Sequence, residues 1–428
     1  MTWLLFAFIV LTLFFTFRDK RDFFHPSRIY ILLYALLFAV YFLRLSRFQE
    51  PWSPTTLMLF WGAVISFIGG GMLVSFYVTR IAPVNHEYLS VSGMSDRLQG
   101  QAQTVQWGRF LFITALVFSL FTISFLRSYV QYGVVPMFSS DPNGKRFLYL
   151  TGNYFIDIAG GSGPLVMMLC AEVLIIKGTS RLHRIIAAIM LVVSFALYFT
   201  LVTRMPLVRT GIYITVLYHY HRKPISLRMI SVVAVAVMIF FAFGAIVRID
   251  IGGFAQLAKD LRIHMPGKFM LLINPYAYAV NNVWNMDYGF KKFIDGNFAY
   301  NFSFGFEMFR PVFYFLKVEN IVQAAYNFDS VYNESVTKVS GLNSVIYIWH
   351  LYKDFGIFGM FAVSLVLGVV LHLFYYNTLI APTPIRMAFY GLIVSMIAFS
   401  FMIPLWSFWN IYYEIAILTI THKSLEFI

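Results

Sequence analysis

The chain has 428 residues, of which 60% are hydrophobic, 19% aromatic and only 12% charged, with a mean hydropathy of +0.73. No water-soluble domain carries that balance, so composition excludes a soluble globular protein and indicates an all-α polytopic membrane protein. The net charge of +13 does not imply a nucleic-acid partner, because the basic residues stand at the ends of apolar runs, where they set topology and meet lipid headgroups. The single cysteine, Cys170, excludes an intrachain disulfide and gives no basis for a thiol nucleophile or a cysteine metal cluster.

Apolar runs long enough for a bilayer core of about 30 Å lie at roughly 1–17, 29–45, 57–79, 110–126, 155–176, 185–202, 206–220, 229–247, 357–377, 385–403 and 405–420, which predicts about 11 transmembrane helices. The first resembles a signal peptide, yet Arg18, Asp19, Lys20 and Arg21 follow it with no small-residue cleavage site, so it reads as an uncleaved span. Every odd run exits into a basic segment: Arg18 to Arg28, Arg80 to Arg109, Lys177 to Arg184, Arg222 to Arg228, Arg386 and Lys423. By the positive-inside rule those segments are cytoplasmic, the N-terminus is outside and the C-terminus inside. The chain then divides into 1–247 with eight spans, a long outer segment 248–356, and 357–428 with three spans.

Between the sixth and seventh runs, LVTRMPLVRTG (201–211) places Arg204 and Arg209 on the outer side, where retained positive charge is least expected. Pro206 has no backbone donor and fits the first turn of a helix. Free amides, a positive helix end and two guanidiniums together suit a phosphate or pyrophosphate. The alternative for these arginines is to reach lipid headgroups or pair with a carboxylate elsewhere.

The outer segment 127–154 contains Pro136, Asp141, Pro142 and Gly144, turn chemistry that presents Lys145 and Arg146 from a loop. Within 248–356, NPYAYAVNNVWNMDYGFKKF is aromatic and Asn-rich, with spacing that predicts amphipathic helices on the membrane face. Glycines at 69–71 and 160–163 permit close helix packing or a kink. Glu172, inside the fifth run, must face protein or water. His219 and His221 read as part of a cytoplasmic topology signal, and Trp406, Trp409, Tyr412 and Tyr413 as an interfacial belt.

Three stretches in this order carry a family resemblance: YGVVPMFSSDPNGKRF (132–147), YAYAVNNVWNM (276–286) and NSVIYIWHLYKDFGIFGM (343–360). Together with the many spans and the long late outer segment, they resemble the Wzy-type O-antigen polymerases, or oligosaccharide repeat unit polymerases. The resemblance implies a GT-C-like helical fold in the bacterial inner membrane, with the N-terminus periplasmic and the C-terminus cytoplasmic. It also implies undecaprenyl-pyrophosphate-linked oligosaccharide as donor and acceptor, membrane lipid around the fold, and room for a chain-length regulator as partner. No cofactor and no metal are expected.

In that reading the leaving pyrophosphate needs its developing charge stabilised, and Arg204, Arg209 and Arg248, the last in AIVRIDIGG, are the expected groups. His350 and Asp354, four residues apart, would share a helix face and are candidates for proton transfer. Their alternatives are an interfacial histidine and a carboxylate that positions the helix entry, and Glu307, Asp329 and Glu334 are further candidate bases. Lys145, Arg146, Tyr276, Asn281 and Asn282 are the expected substrate-binding residues. The related O-antigen ligases and a lipid-linked oligosaccharide flippase are the competing assignments.

Overall fold

The computed structural model describes residues 22–47, 49–81, 94, 96–98, 106–150, 154–226, most of 228–240, 258–263, 272–295, 302–316, 318, 320–322, 344–402 and 409–423. The first apolar run, Arg248, Asp329, Glu334 and Trp406 lie outside the described residues. Among those described the chain is helical, with no strand and one isolated bridge between Ser46 and Ile263. The helices are α1 Pro26–Phe42, α2 Pro54–Phe76, α3 Trp107–Tyr132, α4 Pro142–Leu150, α5 Tyr154–Gly161, α6 Gly163–Ile175, α7 Arg181–Thr200 and α8 Met205–His221. They continue as α9 Ile273–Phe290, α10 Phe306–Phe315, α11 Tyr347–Ile380, α12 Pro384–Phe399 and α13 Trp409–Lys423.

Among the described residues four helices are long and apolar enough to cross a membrane, within Pro54–Arg80, Trp107–Phe138, Arg181–Thr200 and Tyr347–Ile380. At 1.5 Å per residue, about 20 residues match a hydrocarbon core of about 30 Å. These are the helices of a membrane protein. Pro26–Phe42, Gly163–Ile175 and Pro384–Phe399 are apolar but shorter.

Local chemistry sets several boundaries. Ser53 caps α2 by accepting from Thr56 N at 3.0 Å, and Ser180 caps α7 by accepting from His183 N at 3.2 Å. α3 stops at Gly133, whose φ of 68° is a left-handed conformation that glycine adopts without steric cost. The GGSGP stretch breaks one predicted span into α5 and α6.

The chain forms two compact units. The first comprises Met1–Val84, Gly253–Tyr376 and Met396–Trp409. Its centre is aromatic: Tyr30 stacks on Phe67 with ring centroids 4.0 Å apart, meets Tyr34 at 4.6 Å, and shares a hydroxyl hydrogen bond with Tyr347. Tyr34 reaches Ser400 Oγ at 3.1 Å. Lipid tails are as apolar as leucine, so helix association here depends on close fit and on hydroxyls that find partners. Close fit comes from glycine: a Cβ at Gly70 would come within 3.0 Å of the Leu365 carbonyl oxygen, and one at Gly368 within 3.0 Å of the Phe67 carbonyl oxygen. α2 and α11 therefore cross backbone to backbone. The glycines at 70 and 71 serve the packing role expected of them.

α9 departs from expectation. It packs against α1 and α2 and is buried on nearly all sides, so it is an interior helix and does not lie along a surface. Its polar side chains are spent inside the protein: Asn282 Nδ2 donates to the Tyr278 carbonyl at 2.7 Å and Asn285 Nδ2 to the Ser344 carbonyl at 3.1 Å. The exposed helix of this segment is α10, which presents Phe309 and Arg310. α11 contains a break at Gly356 (φ 66°, ψ −167°), where a side chain would also strike the Phe302 ring.

The second unit comprises Asn85–Gly252, Asn377–Ser395 and Asn410–Ile428. α6 is its buried axis, flanked by α3, α7 and α8. Glu172 on α6 is 1% exposed, accepts from Tyr213 Oη at 2.6 Å and lies 3.0 Å from His422 Nε2 on α13. The carboxylate expected to face protein does so. His219 and His221 are also buried, His219 accepting from Ile225 N at 3.0 Å. Two bonds from Arg97 reach the Leu379 and Ile380 carbonyls at 2.9 and 3.0 Å, satisfying the C-terminal end of α11.

Candidate anion site

The α7–α8 turn builds the site. α7 ends at Thr200, Val202 adopts a left-handed φ of 57°, and Arg204 becomes the N-cap of α8 with Pro206 in the first turn. The expected place of Pro206 is the observed one. Val208 N donates to the Arg204 carbonyl at 3.0 Å and starts the helix ladder. An arginine side chain has no acceptor, so it cannot satisfy first-turn amides as serine or aspartate would. α8 accordingly starts without a side-chain cap.

Arg204 and Arg209 are 6% and 5% exposed. Arg209, in the second turn of α8, forms an ion pair with Glu414 on α13 through Nη2 and Oε1. Arg209 Nε and Glu414 Oε2 are buried without a hydrogen-bond partner among the described residues. Tyr198, in the last turns of α7, lies beside Thr203 and within electrostatic reach of Arg209, Glu414 and Arg146. Around it, Phe121, Phe125, Tyr149, Met167, Leu201 and Leu207 form one apolar cluster.

Arg146 arrives from α4, one turn before Tyr149, whose hydroxyl donates to the Val134 carbonyl at 2.9 Å. Lys145 and Arg146 were expected on a loop; they lie on a helix. Asp141 and Pro142 explain the difference, because Asp141 Oδ1 accepts from Gly144 N at 2.9 Å as an N-cap and Pro142 takes the first helical position. Two motifs far apart in sequence thus share a neighbourhood, the charges of Arg146 and Arg209 both acting on Tyr198. Lys145 is partly buried on the same helix.

The other expected residues belong to the first unit. Tyr276 Oη donates to Gln49 Oε1 at 2.6 Å and accepts from Leu45 N at 3.0 Å, and its burial raises its pKa. Asn281 and Asn282 are buried in the same helix. The Asp354 carboxylate caps α10, accepting from Ser303 Oγ, from Glu307 N at 3.1 Å and from Met308 N at 3.0 Å. Beside it, Lys353 Nζ lies 3.1 Å from Glu307 Oε1. His350 is partly buried near that pair, and its Nδ1 has no hydrogen-bond partner among the described residues.

Glu414 and Lys353 are the residues that sequence reasoning missed. Both carried the signal that singled out Glu172, an ionisable group within or beside an apolar run.

Comparison of the chain with protein-family models, with curated proteins and with solved structures gives no match.

Proposed function

We propose that this chain is a metal-independent glycosyltransferase of the bacterial inner membrane. It joins undecaprenyl-pyrophosphate-linked oligosaccharide repeat units into O-antigen or a related surface polysaccharide at the periplasmic face. The observation that carries the reading is the pair of buried arginines at the start of α8, Arg204 as its N-cap and Arg209 one turn further on and paired with Glu414, in apolar surroundings. A membrane protein keeps buried arginines at a helix start where an anion is to be held. The ordered motifs at 132–147, 276–286 and 343–360 supply the substrate class.

In the reaction an acceptor hydroxyl attacks the anomeric carbon of the donor, and the bond from that carbon to the diphosphate breaks. Negative charge grows on the leaving diphosphate. Guanidiniums fixed in a low-dielectric setting stabilise that charge without reorganising.

The test is a chain-length ladder from a strain carrying Arg204→Ala, Arg209→Ala or Arg248→Ala as its only copy. Loss of long chains with retention of single capped units is expected; normal ladders from all three variants overturn the reading. A deletion that leaves bare core identifies a ligase instead. Transport of lipid-linked oligosaccharide is the second reading, favoured by Glu172 and Glu414 buried in apolar helices and by the break in α11. Elongation by purified protein in detergent, without a gradient, excludes it.

A further inference from the structure

The Arg209–Glu414 pair is only half closed. Its side chains are 6% and 2% exposed, yet one atom of each, Nε and Oε2, has no hydrogen-bond partner among the described residues. A pair kept only to hold two helices together gains most from a saturated two-bond fork, because each unmet buried polar atom is costly in a low dielectric. Here the guanidinium retains an edge for another oxygen, and the carboxylate retains an oxygen for another proton. Tyr198 lies within electrostatic reach of both members of the pair, and Tyr413, next to Glu414 in the chain, neighbours Ser162.

We propose that Glu414 is a displaceable counter-ion. It neutralises Arg209 while the site is empty, yields Arg209 to the diphosphate of an incoming lipid-linked donor, and then accepts the proton of the acceptor hydroxyl. The anion exchange stands on the geometry alone; the proton transfer rests on the glycosyltransferase reading. The acceptor O–H bond breaks, its proton goes to Glu414, and its electron pair becomes the new bond to the anomeric carbon. The old carbon–oxygen bond departs with its electron pair on the diphosphate, which Arg209 holds. The proton then leaves Glu414 for bulk water as the carboxylate returns to Arg209.

The exchange solves two problems at once. A lone guanidinium inside an apolar bundle is costly, so the empty site needs a resident negative charge. A carboxylate released from Arg209 only once the donor has docked becomes a free proton acceptor at the moment when the acceptor hydroxyl has to lose its proton.

The experiment uses the full-length protein in detergent, with inorganic pyrophosphate as probe. Binding is followed by calorimetry, and elongation of lipid-linked repeat units is measured in parallel. Glu414→Gln removes the competing charge, so pyrophosphate is expected to bind about tenfold more tightly. The same variant is expected to elongate roughly 100-fold or more slowly. Glu414→Asp, which keeps the charge but shortens its reach, should move both quantities the same way by less, and it serves if the Gln variant does not fold. Arg209→Ala should abolish pyrophosphate binding. Unchanged or weaker binding in a folded Gln or Asp variant overturns the exchange, and normal elongation overturns the proton transfer. Tighter pyrophosphate binding in the variants, with no elongation even by the parent protein, would uphold the anion site and reject the glycosyltransferase reading.

Discussion

Lys353 and Glu307 meet at 3.1 Å where α10 abuts α11, with 3% and 17% of their side chains exposed. Burial alone would raise the Glu307 carboxyl above its ordinary 4.5, but the positive charges around it, Lys353 foremost and Arg310 further off, outweigh burial and hold it below that value. A carboxyl depressed on folding adds stability that is fully present above its unfolded pKa and lost as pH falls through the folded one. α10 should therefore be firmly docked near neutral pH and loosen in acid below 4.5. Hydrogen exchange of residues 303–315 across that range measures it. Lys353→Met should remove most of the acid sensitivity and cost about 3 kcal/mol, the lower end for breaking a buried pair.

The α2–α11 crossing makes a contrast between neighbouring glycines. At Gly70 and Gly368 an added methyl meets backbone carbonyl oxygens closer than real carbons approach, and backbone cannot swing aside. At Gly69 nothing lies within 4 Å. Gly70→Ala and Gly368→Ala should each destabilise the protein by about 1–3 kcal/mol. Gly69→Ala should stabilise it by about 0.4–1 kcal/mol by restricting the unfolded chain. Thermal unfolding in detergent distinguishes the signs, and a stable Gly368→Ala variant would rule out the close crossing.

Tyr213, fully buried, donates to Glu172 at 2.6 Å. Tyr213→Phe leaves a buried carboxylate oxygen without that donor, a loss of about 1.5–3 kcal/mol for a hydrogen bond to a charged group. His422 retains its own approach to Glu172. The double variant Tyr213→Phe with Glu172→Gln should then lose less than the sum of the singles. Additive losses in a double-mutant cycle would show that the two groups do not act together.

Much of this architecture is legible in the residues themselves. The place of Pro206, the packing glycines and the protein-facing Glu172 follow from local rules about donors, size and the cost of buried charge. α9 misleads because asparagine and tyrosine count as polar in a periodicity, whereas here the Asn282 and Asn285 amide nitrogens and the Tyr276 hydroxyl find partners on Tyr278, Ser344 and Gln49 inside the protein. The Asp141–Pro142 helix start was open to reading as well, but its turn residues obscured it. The partner of Arg209 was not accessible in that way. Glu414 is 205 residues distant, and periodicity within one run carries no information about which run lies beside it.

The left-handed Val202, with φ of 57°, is a position where a β-branched residue is sterically penalised. Glycine there would relieve the crowding. The strained residue stands two before Arg204, so the torsion at Val202 also sets the direction in which Arg204 enters α8. Stability and aim are then opposing demands on a single backbone torsion.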